Sequence, residues 1–277
     1  MKTVQVCAIQ MVSSSDVAIN LARAEQLIAQ AAQAGAQLIV LPEYFAIMGN
    51  SDRDKLAQQE PFNDGTLTES PAPLQHFLAS QARQHQVYLV GGTIPLKSDQ
   101  PDKVMNTCLA FNPAGECVAR YDKVHLFGFA NGAECFQESD TIAPGHLPVA
   151  FDTPFGRVGL AVCYDLRFPE FFRALEHVGH VDIWTLPAAF TATTGRAHWE
   201  VLLRARAIEN QCFVVASGQG GTHSSGRKTF GHSMLIDPWG TILDVLPEGE
   251  GLVLAELKAS QLERVRTILP ALRHRVL

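Results

Sequence analysis

The chain has 277 residues and a formal net charge of −6, and 47% of its residues are hydrophobic. This length is enough for one large domain with a substantial core. The acidic balance argues against a nucleic-acid partner, which would favour a basic protein face. The sequence contains no run of about 18 apolar residues, so we expect no transmembrane helix and no membrane partner.

The N-terminal segment 1–15 is short and apolar, but Gln5 and Gln10 interrupt it. It therefore favours a first β-strand over a signal peptide, and we expect a cytoplasmic protein. The six cysteines form no C-x-x-C pair, and H-E-x-x-H is also absent from the sequence. We expect mostly free, buried thiols in a reducing compartment and no zinc site.

Short apolar runs alternate with helical patterns along the chain and predict an α/β or α+β architecture. In chain order, the patterns predict strand 4–12, helix 17–34, strand 36–42, helix 72–85, strand 87–92, hairpin 108–122, strand 157–163, helix 169–178, strand 181–187, helix 197–210, strand 212–218, hairpin 233–245, strand 251–257 and helix 259–269. Both hairpins carry a turn of the form Asn/Asp-Pro-x-Gly, which is typical of a type I turn.

The segments 36–45 and 181–190 are similar to each other, since each is an apolar strand that ends in Leu-Pro and then an aromatic residue. Together with the two matching hairpins, this similarity predicts two halves related by a pseudo-twofold axis. A chance likeness of two apolar strands explains the same pattern. Because no composition break or low-complexity linker is visible, we expect a single domain over residues 1–277.

Three reactive side chains follow apolar strands directly. Glu43 ends one strand, Lys123 follows the strand of the first hairpin, and Cys163 ends the strand that begins at 157. In layered α/β proteins, residues at the carboxyl ends of strands face the crevice where ligands bind. These three side chains are therefore candidates for one catalytic site.

Each of these residues also has an ordinary interpretation. A free cysteine is most often a buried apolar residue, and a lone carboxylate or lysine is often solvated. Cys163 differs because Pro169 places a helix start shortly after it. A nucleophile on such a strand-to-helix turn is expected to be exposed, with backbone N–H groups nearby to stabilise an oxyanion.

Other catalytic patterns fit less well. The serine-hydrolase elbow G-x-S-x-G is absent. The segment 221–229 is similar to a phosphate-binding loop, but Arg227 displaces the lysine from the required register, and a strand pattern follows it instead of a helix. A Cys–His pair, with His125 or His232 as the partner of Cys163, remains open at this stage.

Three sequence blocks together resemble the nitrilase, or carbon–nitrogen hydrolase, superfamily: 41–43, 121–127 and 163–170. The resemblance covers essentially the whole chain. It implies a catalytic triad of Glu43, Lys123 and Cys163 and a four-layer α-β-β-α sandwich. It also implies a homodimer or higher homo-oligomer, with the C-terminal segment 259–277 involved in dimer contacts.

Within the superfamily, segments 198–212 and 231–240 are most similar to the deaminated-glutathione amidases. The omega-amidases, which act on 2-oxoglutaramate-like substrates, share much of this pattern. Glu138 matches a second glutamate that members often carry. One departure is the segment 128–132, which differs from the usual sequence in a loop beside the expected pocket.

The resemblance implies hydrolysis of a small linear amide without a metal or cofactor. Glu43 acts as the base, and Lys123 and the backbone N–H of Tyr164 stabilise the oxyanion. Arg167 either binds a substrate carboxylate or forms an ion pair with Glu170 or Asp165. We expect further pocket residues after the strand at 181–187, namely Phe190, Thr191 and Thr194. A non-catalytic binding protein on the same fold is the alternative of another class.

Overall fold

Two mixed β-sheets form the framework of the structure, a computed structural model that describes residues 1–63, 72–132, 134–175 and 179–276. Its first half contains β1 (Val4–Gln10), α1 (Val17–Gln33), β2 (Leu38–Val40), α2 (Pro73–His85), β3 (Tyr88–Val90), β4 (Ile94–Lys97), β5 (Val104–Phe111), β6 (Cys117–Asp122), β7 (Gly128–Ala130), β8 (Cys135–Gln137) and β9 (Ile142–Ala143). Its second half contains β10 (Val149–Thr153), β11 (Gly156–Leu160), α3 (Pro169–Arg173), β12 (Ile183–Ala188), α4 (Ala192–Asn210), β13 (Phe213–Gly218), β14 (Ser233–Ile236), β15 (Ile242–Leu246), β16 (Gly251–Leu257) and α5 (Ala259–Ile268).

The strand order repeats in the two halves. The first sheet runs β16-β1-β2-β3-β5-β4, with β6 and β9 also paired to β5, and the second runs β10-β11-β12-β13-β14-β15. In each sheet three successive strands are parallel, β1-β2-β3 and β11-β12-β13, and the next strand is antiparallel. Both sheets also contain a predicted Asn/Asp-Pro-x-Gly turn, closed by hydrogen bonds from Gly115 N to Asn112 O (2.8 Å) and from Gly240 N to Asp237 O (2.9 Å).

The sheets face each other and carry helices on their outer faces. Val4, Val6 and Ala8 of β1 pack in the core between the sheets, whereas Cys7 and Ile9 pack in a second core beneath α1 and α2. Successive strand residues point to opposite faces, so a strand that is buried on both faces is apolar throughout. With α3 and α4 on the second sheet, the layers are α-β-β-α, and the predicted fold class is confirmed.

Several boundaries differ from the sequence predictions. The fourth helix begins at Ala192 instead of 197, because the side chain of Thr191 caps it by accepting a hydrogen bond from Thr194 N. The helix predicted at 169–178 ends at Arg173, and residues 176–178 of that prediction lie outside the described residues. The short strands β4 and β7–β10 were missed, since two to five residues leave little periodic signal. The single-domain assignment stays a prediction.

In the described parts of the chain, no helix combines the length and the apolar character that crossing a bilayer requires.

Gly159 on β11 allows close packing of the buried Trp184 on β12. A Cβ atom at position 159 would lie 2.6 Å from the indole ring. We therefore expect Gly159→Ala to lower the free energy of unfolding by about 1–3 kcal/mol. Denaturant unfolding of Gly159→Ala in the wild-type and Trp184→Leu backgrounds measures the coupling. The penalty should shrink when Trp184 is replaced, and an equal penalty in both backgrounds would contradict this contact.

Candidate active site

Cys163 lies on a sharp turn between β11 and the second sheet's outer helices. It is the first residue of a 3₁₀-helix, Cys163–Arg167, and its φ is +48°. Residues other than glycine rarely adopt this conformation, which persists only when the surroundings hold it. Its side chain is 7% exposed, so the predicted turn is present but the thiol is buried at a cavity wall and not openly exposed.

Asp165 holds this turn in place. Its buried carboxylate accepts hydrogen bonds from Val162 N (2.8 Å), from the Tyr121 hydroxyl (2.6 Å) and from His125 N (3.2 Å). The three donors come from the residue before Cys163 and from the segment that carries Lys123. Asp165 therefore connects the cysteine turn to the lysine strand.

Lys123 is the centre of a buried ion cluster. Its Nζ lies 2.9 Å from Glu43 Oε1, and 2.7 Å and 3.0 Å from the two carboxylate oxygens of Glu138. The side chains of Lys123 and Glu43 are 0% and 1% exposed. Glu43 follows β2, Lys123 follows β6 and Glu138 follows β8, so the ends of three strands meet at this point.

Charge pairing outweighs desolvation in this cluster. Burial acts to lower the pKa of Lys123, but Glu138 and Glu43 raise it well above its ordinary value. Burial acts to raise the pKa of Glu138, but the Lys123 ammonium lowers it. Lys123 is therefore a fixed cation and Glu138 a fixed anion at neutral pH.

The carboxylate of Glu43 is oriented by two further donors. The Asn106 amide donates to Oε1 at 2.9 Å, and the backbone N–H of Ala189 donates to Oε2 at 2.8 Å. Ala189 directly follows β12, so the second sheet positions a carboxylate that the first sheet carries. A buried carboxylate needs such partners to offset the loss of water.

Glu138 is held in the same way. The Tyr44 hydroxyl donates to Oε1 at 2.9 Å and the backbone N–H of Phe127 to Oε2 at 2.7 Å. Tyr44 has a φ of +58°, so the residue beside Glu43 is also in the left-handed region. Both carboxylates are thus fixed before any ligand binds.

The Cys163 thiol is surrounded by these groups. Burial, followed by the nearby charge of Glu43, raises its pKa well above the ordinary value of 9.0, and Glu138 adds to this effect. Lys123 and the backbone N–H of Ala189 act in the opposite direction but do not outweigh it. At neutral pH the thiol is therefore protonated, and it becomes a nucleophile only if a base removes the proton.

A small cavity with about 10 Å³ of free space opens beside the thiol. Seven of the residues predicted for the site line it: Glu43, Glu138, Cys163, Tyr164, Phe190, Thr191 and Thr194. Three lining residues were missed, namely Phe127, Ala189 and Arg227. Phe127 lies in the block 121–127 and Ala189 in the segment 181–190, so their positions in the sequence could have indicated that they line the cavity. Arg227 comes from the loop 221–229, and nothing in the sequence indicates that this loop folds over the site.

Arg167 contacts residues behind the cavity wall, and its role in binding a substrate carboxylate stays a prediction. Among the described residues it forms no ion pair with Glu170 or Asp165, and it does not line the cavity. Its guanidinium lies 3.2 Å from His198 Nδ1 and stacks over the rings of Phe190 (5.2 Å) and Tyr164 (5.7 Å). It therefore packs behind two cavity residues.

Neither histidine candidate is a partner for the thiol. His125 Nδ1 lies 2.7 Å from Asp165 and its ring stacks on Phe168, whereas His232 Nδ1 lies 2.9 Å from Phe230 O and stacks on that ring. Neither residue lines the cavity. The geometry therefore favours Glu43 over a histidine as the neighbour of Cys163.

All six cysteines are free thiols; Cys117 and Cys135 are exposed and the other four are buried. In the part of the chain that the structure describes, no group of three or more His, Cys, Asp or Glu side chains is arranged to hold a metal ion.

The fold and this buried ion cluster together indicate one class of protein, and comparison with known proteins identifies that class. The model of the carbon-nitrogen hydrolase family matches residues 5–267, and the chain belongs to this family. The chain is 43% identical to the deaminated glutathione amidase of Synechocystis sp., over 100% of this chain and 99% of that protein.

Solved structures agree with this assignment. Nit3 from Saccharomyces cerevisiae, a member of the nitrilase superfamily, superposes with a TM-score of 0.86 at 33% identity, covering 97% of this chain and 95% of that chain. An amidase from Nesterenkonia sp. AN1, seen after Michael addition of acrylamide to its active site cysteine, superposes with a TM-score of 0.78 at 26% identity. The match covers 96% of this chain and 98% of that one.

The buried setting of Cys163 generates a titration prediction. Because its pKa is raised above 9.0, we expect no thiolate from this residue at or below pH 9. The difference in thiolate ultraviolet absorbance between the wild-type chain and Cys163→Ala, followed through a pH titration, isolates this thiol from the other five. A thiolate step near neutral pH would instead indicate a preformed Cys–Lys ion pair.

Proposed function

We propose that this chain is an amidase that hydrolyses the linear amide bond of deaminated glutathione, releasing 2-oxoglutarate and cysteinylglycine. The observation that carries the proposal is the buried cluster in which Lys123 contacts both Glu43 and Glu138 beside a protonated Cys163 thiol. The 43% identity to a relative of that name supports the choice of substrate.

In the first half-reaction, Glu43 accepts the proton of the Cys163 thiol and the sulfur attacks the amide carbon. The charge that develops on the carbonyl oxygen is stabilised by the Lys123 ammonium and by the backbone N–H of Tyr164. Removing one such donor typically costs about 3–4 kcal/mol of transition-state stabilisation. Protonated Glu43 then donates its proton to the leaving nitrogen as the C–N bond breaks, which leaves a thioester on Cys163.

In the second half-reaction, Glu43 takes a proton from water as the water attacks the thioester carbon. The thiolate leaves and is protonated again by Glu43, so the base returns to its initial state. Glu138 keeps Lys123 in position through its two contacts at 2.7 Å and 3.0 Å. Its carboxylate also lines the cavity and can help Glu43 to orient the attacking water. Two moderate barriers replace one high barrier.

An omega-amidase activity on 2-oxoglutaramate is the second candidate. It requires the same three side chains, and the small size of the inner cavity favours a short substrate over a long one. A non-catalytic binding protein is a weaker alternative, because every member of the ion cluster is present and hydrogen-bonded.

We also propose that the chain works as a homodimer or higher homo-oligomer in the cytoplasm. Three apolar side chains of the C-terminal segment are exposed to solvent: Ile268, Leu269 and Val276. They support a role of this segment in subunit contacts, and the free thiols suit a reducing compartment.

A substrate comparison tests the proposed activity. We expect the purified chain to release 2-oxoglutarate from deaminated glutathione with a higher kcat/KM than from 2-oxoglutaramate. Cys163→Ala should lose turnover of both substrates because it has no nucleophile, whereas the matched variant Cys117→Ala should keep it, because Cys117 lies on β6 outside the cavity. A kcat/KM that favours 2-oxoglutaramate would overturn the substrate choice. Wild-type turnover by Cys163→Ala would overturn the nucleophile.

A further inference from the structure

An open groove continues outward from the inner cavity. Its free space is about 670 Å³, against about 10 Å³ for the cavity. Arg227 lines both spaces, and residues at the start of α4 divide between them: Thr191 and Thr194 line the cavity, whereas Ala192 and Thr193 line the groove. The groove is therefore the adjacent space into which a long ligand would extend from the thiol.

The size of the substrate requires this second space. The free space of the inner cavity is only about 10 Å³, about what one water molecule needs. When the scissile carbonyl is at Cys163, a cysteinylglycine leaving group extends about 7 Å beyond it, at about 3.5 Å for each extended residue. The inner cavity is too small for this leaving peptide, which must therefore extend into the groove.

The charge of the groove is favourable for a carboxylate. Three cationic side chains line it, Arg196, Arg227 and Lys228. Two acidic residues, Asp52 and Glu134, also line it, but Glu134 already accepts a hydrogen bond of 2.7 Å from the Thr193 hydroxyl.

The three cationic side chains are available to bind an anionic ligand. Within the described ranges, none of them forms an ion pair with a carboxylate of the chain. The Nε of Arg227 is buried and has no hydrogen-bond partner among the described residues. The described contacts of its guanidinium are a long one of 3.4 Å to Ala189 O and one with the ring of Phe136 at 5.0 Å. Arg196 and Lys228 are exposed.

We propose that this groove is the binding subsite for the cysteinylglycine leaving group and that Arg196, Arg227 and Lys228 bind its glycine carboxylate. The inference rests on the proposed function and adds a reason for the substrate preference. 2-Oxoglutaramate leaves only ammonia and cannot use the groove, so contacts made there benefit deaminated glutathione alone.

The test compares deaminated glutathione with its glycine methyl ester, which lacks the terminal charge. The double variant Arg196→Gln/Lys228→Gln removes two groove cations and leaves the cavity residue Arg227 unchanged. We expect kcat/KM for the free acid to fall roughly fivefold to tenfold. The ratio of the kcat/KM values of free acid and ester should fall toward one, with the part that depends on Arg227 retained. The matched control Lys2→Gln/Lys97→Gln neutralises two exposed cations, one before β1 and one at the end of β4, outside the groove, and should preserve the wild-type ratio.

Each outcome has a distinct meaning. A fall in the acid-over-ester preference in the groove variant alone supports the subsite. An unchanged preference in that variant, with wild-type enzyme active on deaminated glutathione, overturns the subsite but leaves the proposed function intact. A wild-type chain that does not hydrolyse deaminated glutathione overturns the proposed function, and the subsite fails with it.

Discussion

The site is organised by a single electrostatic constraint, since two carboxylates share a buried space and only a cation between them allows both to be charged. Lys123 satisfies Glu43 and Glu138 together. Desolvating these ions costs several kcal/mol for each, and contacts of good geometry must offset that cost. Four further donors, Asn106, Ala189 N, Tyr44 and Phe127 N, also hydrogen-bond to the two carboxylates.

This constraint explains why the site lies where the two sheets meet. Glu43, Lys123 and Glu138 follow strands of the first half, while Cys163 and Ala189 follow strands of the second. The cysteine turn has a φ of +48°, a conformation that costs about 1–3 kcal/mol, and Asp165 stabilises it with hydrogen bonds to both halves. The sandwich thus brings a base and a nucleophile together, and its packed core holds them at fixed positions.

The sequence predicted the layered fold and identified the residues at strand ends as candidate site residues. It could do so because alternating and continuous apolar patterns directly reflect burial on one or two faces. The fold prediction is confirmed, and the structure brings Glu43, Lys123, Glu138 and Cys163 together, although their catalytic roles stay proposals.

Local sequence patterns predicted fewer of the contacts made in and around the cavity walls. Arg227 belongs to a polar loop with no periodicity, and its position depends on how the loop 221–229 folds over α4. For Arg167 the sequence left a substrate carboxylate and a structural ion pair as alternatives, because charged groups are visible in sequence, whereas its stacking on Phe190 and Tyr164 depends on tertiary packing.

The central claim is that Lys123 is the shared counter-ion of both carboxylates, and a double-mutant cycle in the free energy of unfolding tests it most directly. Lys123→Met leaves two buried like charges, and adding Glu138→Gln removes one of them. The account predicts that the double variant Lys123→Met/Glu138→Gln is more stable than Lys123→Met alone. A double variant that is less stable than Lys123→Met, with the two penalties simply adding, would contradict the shared ion cluster.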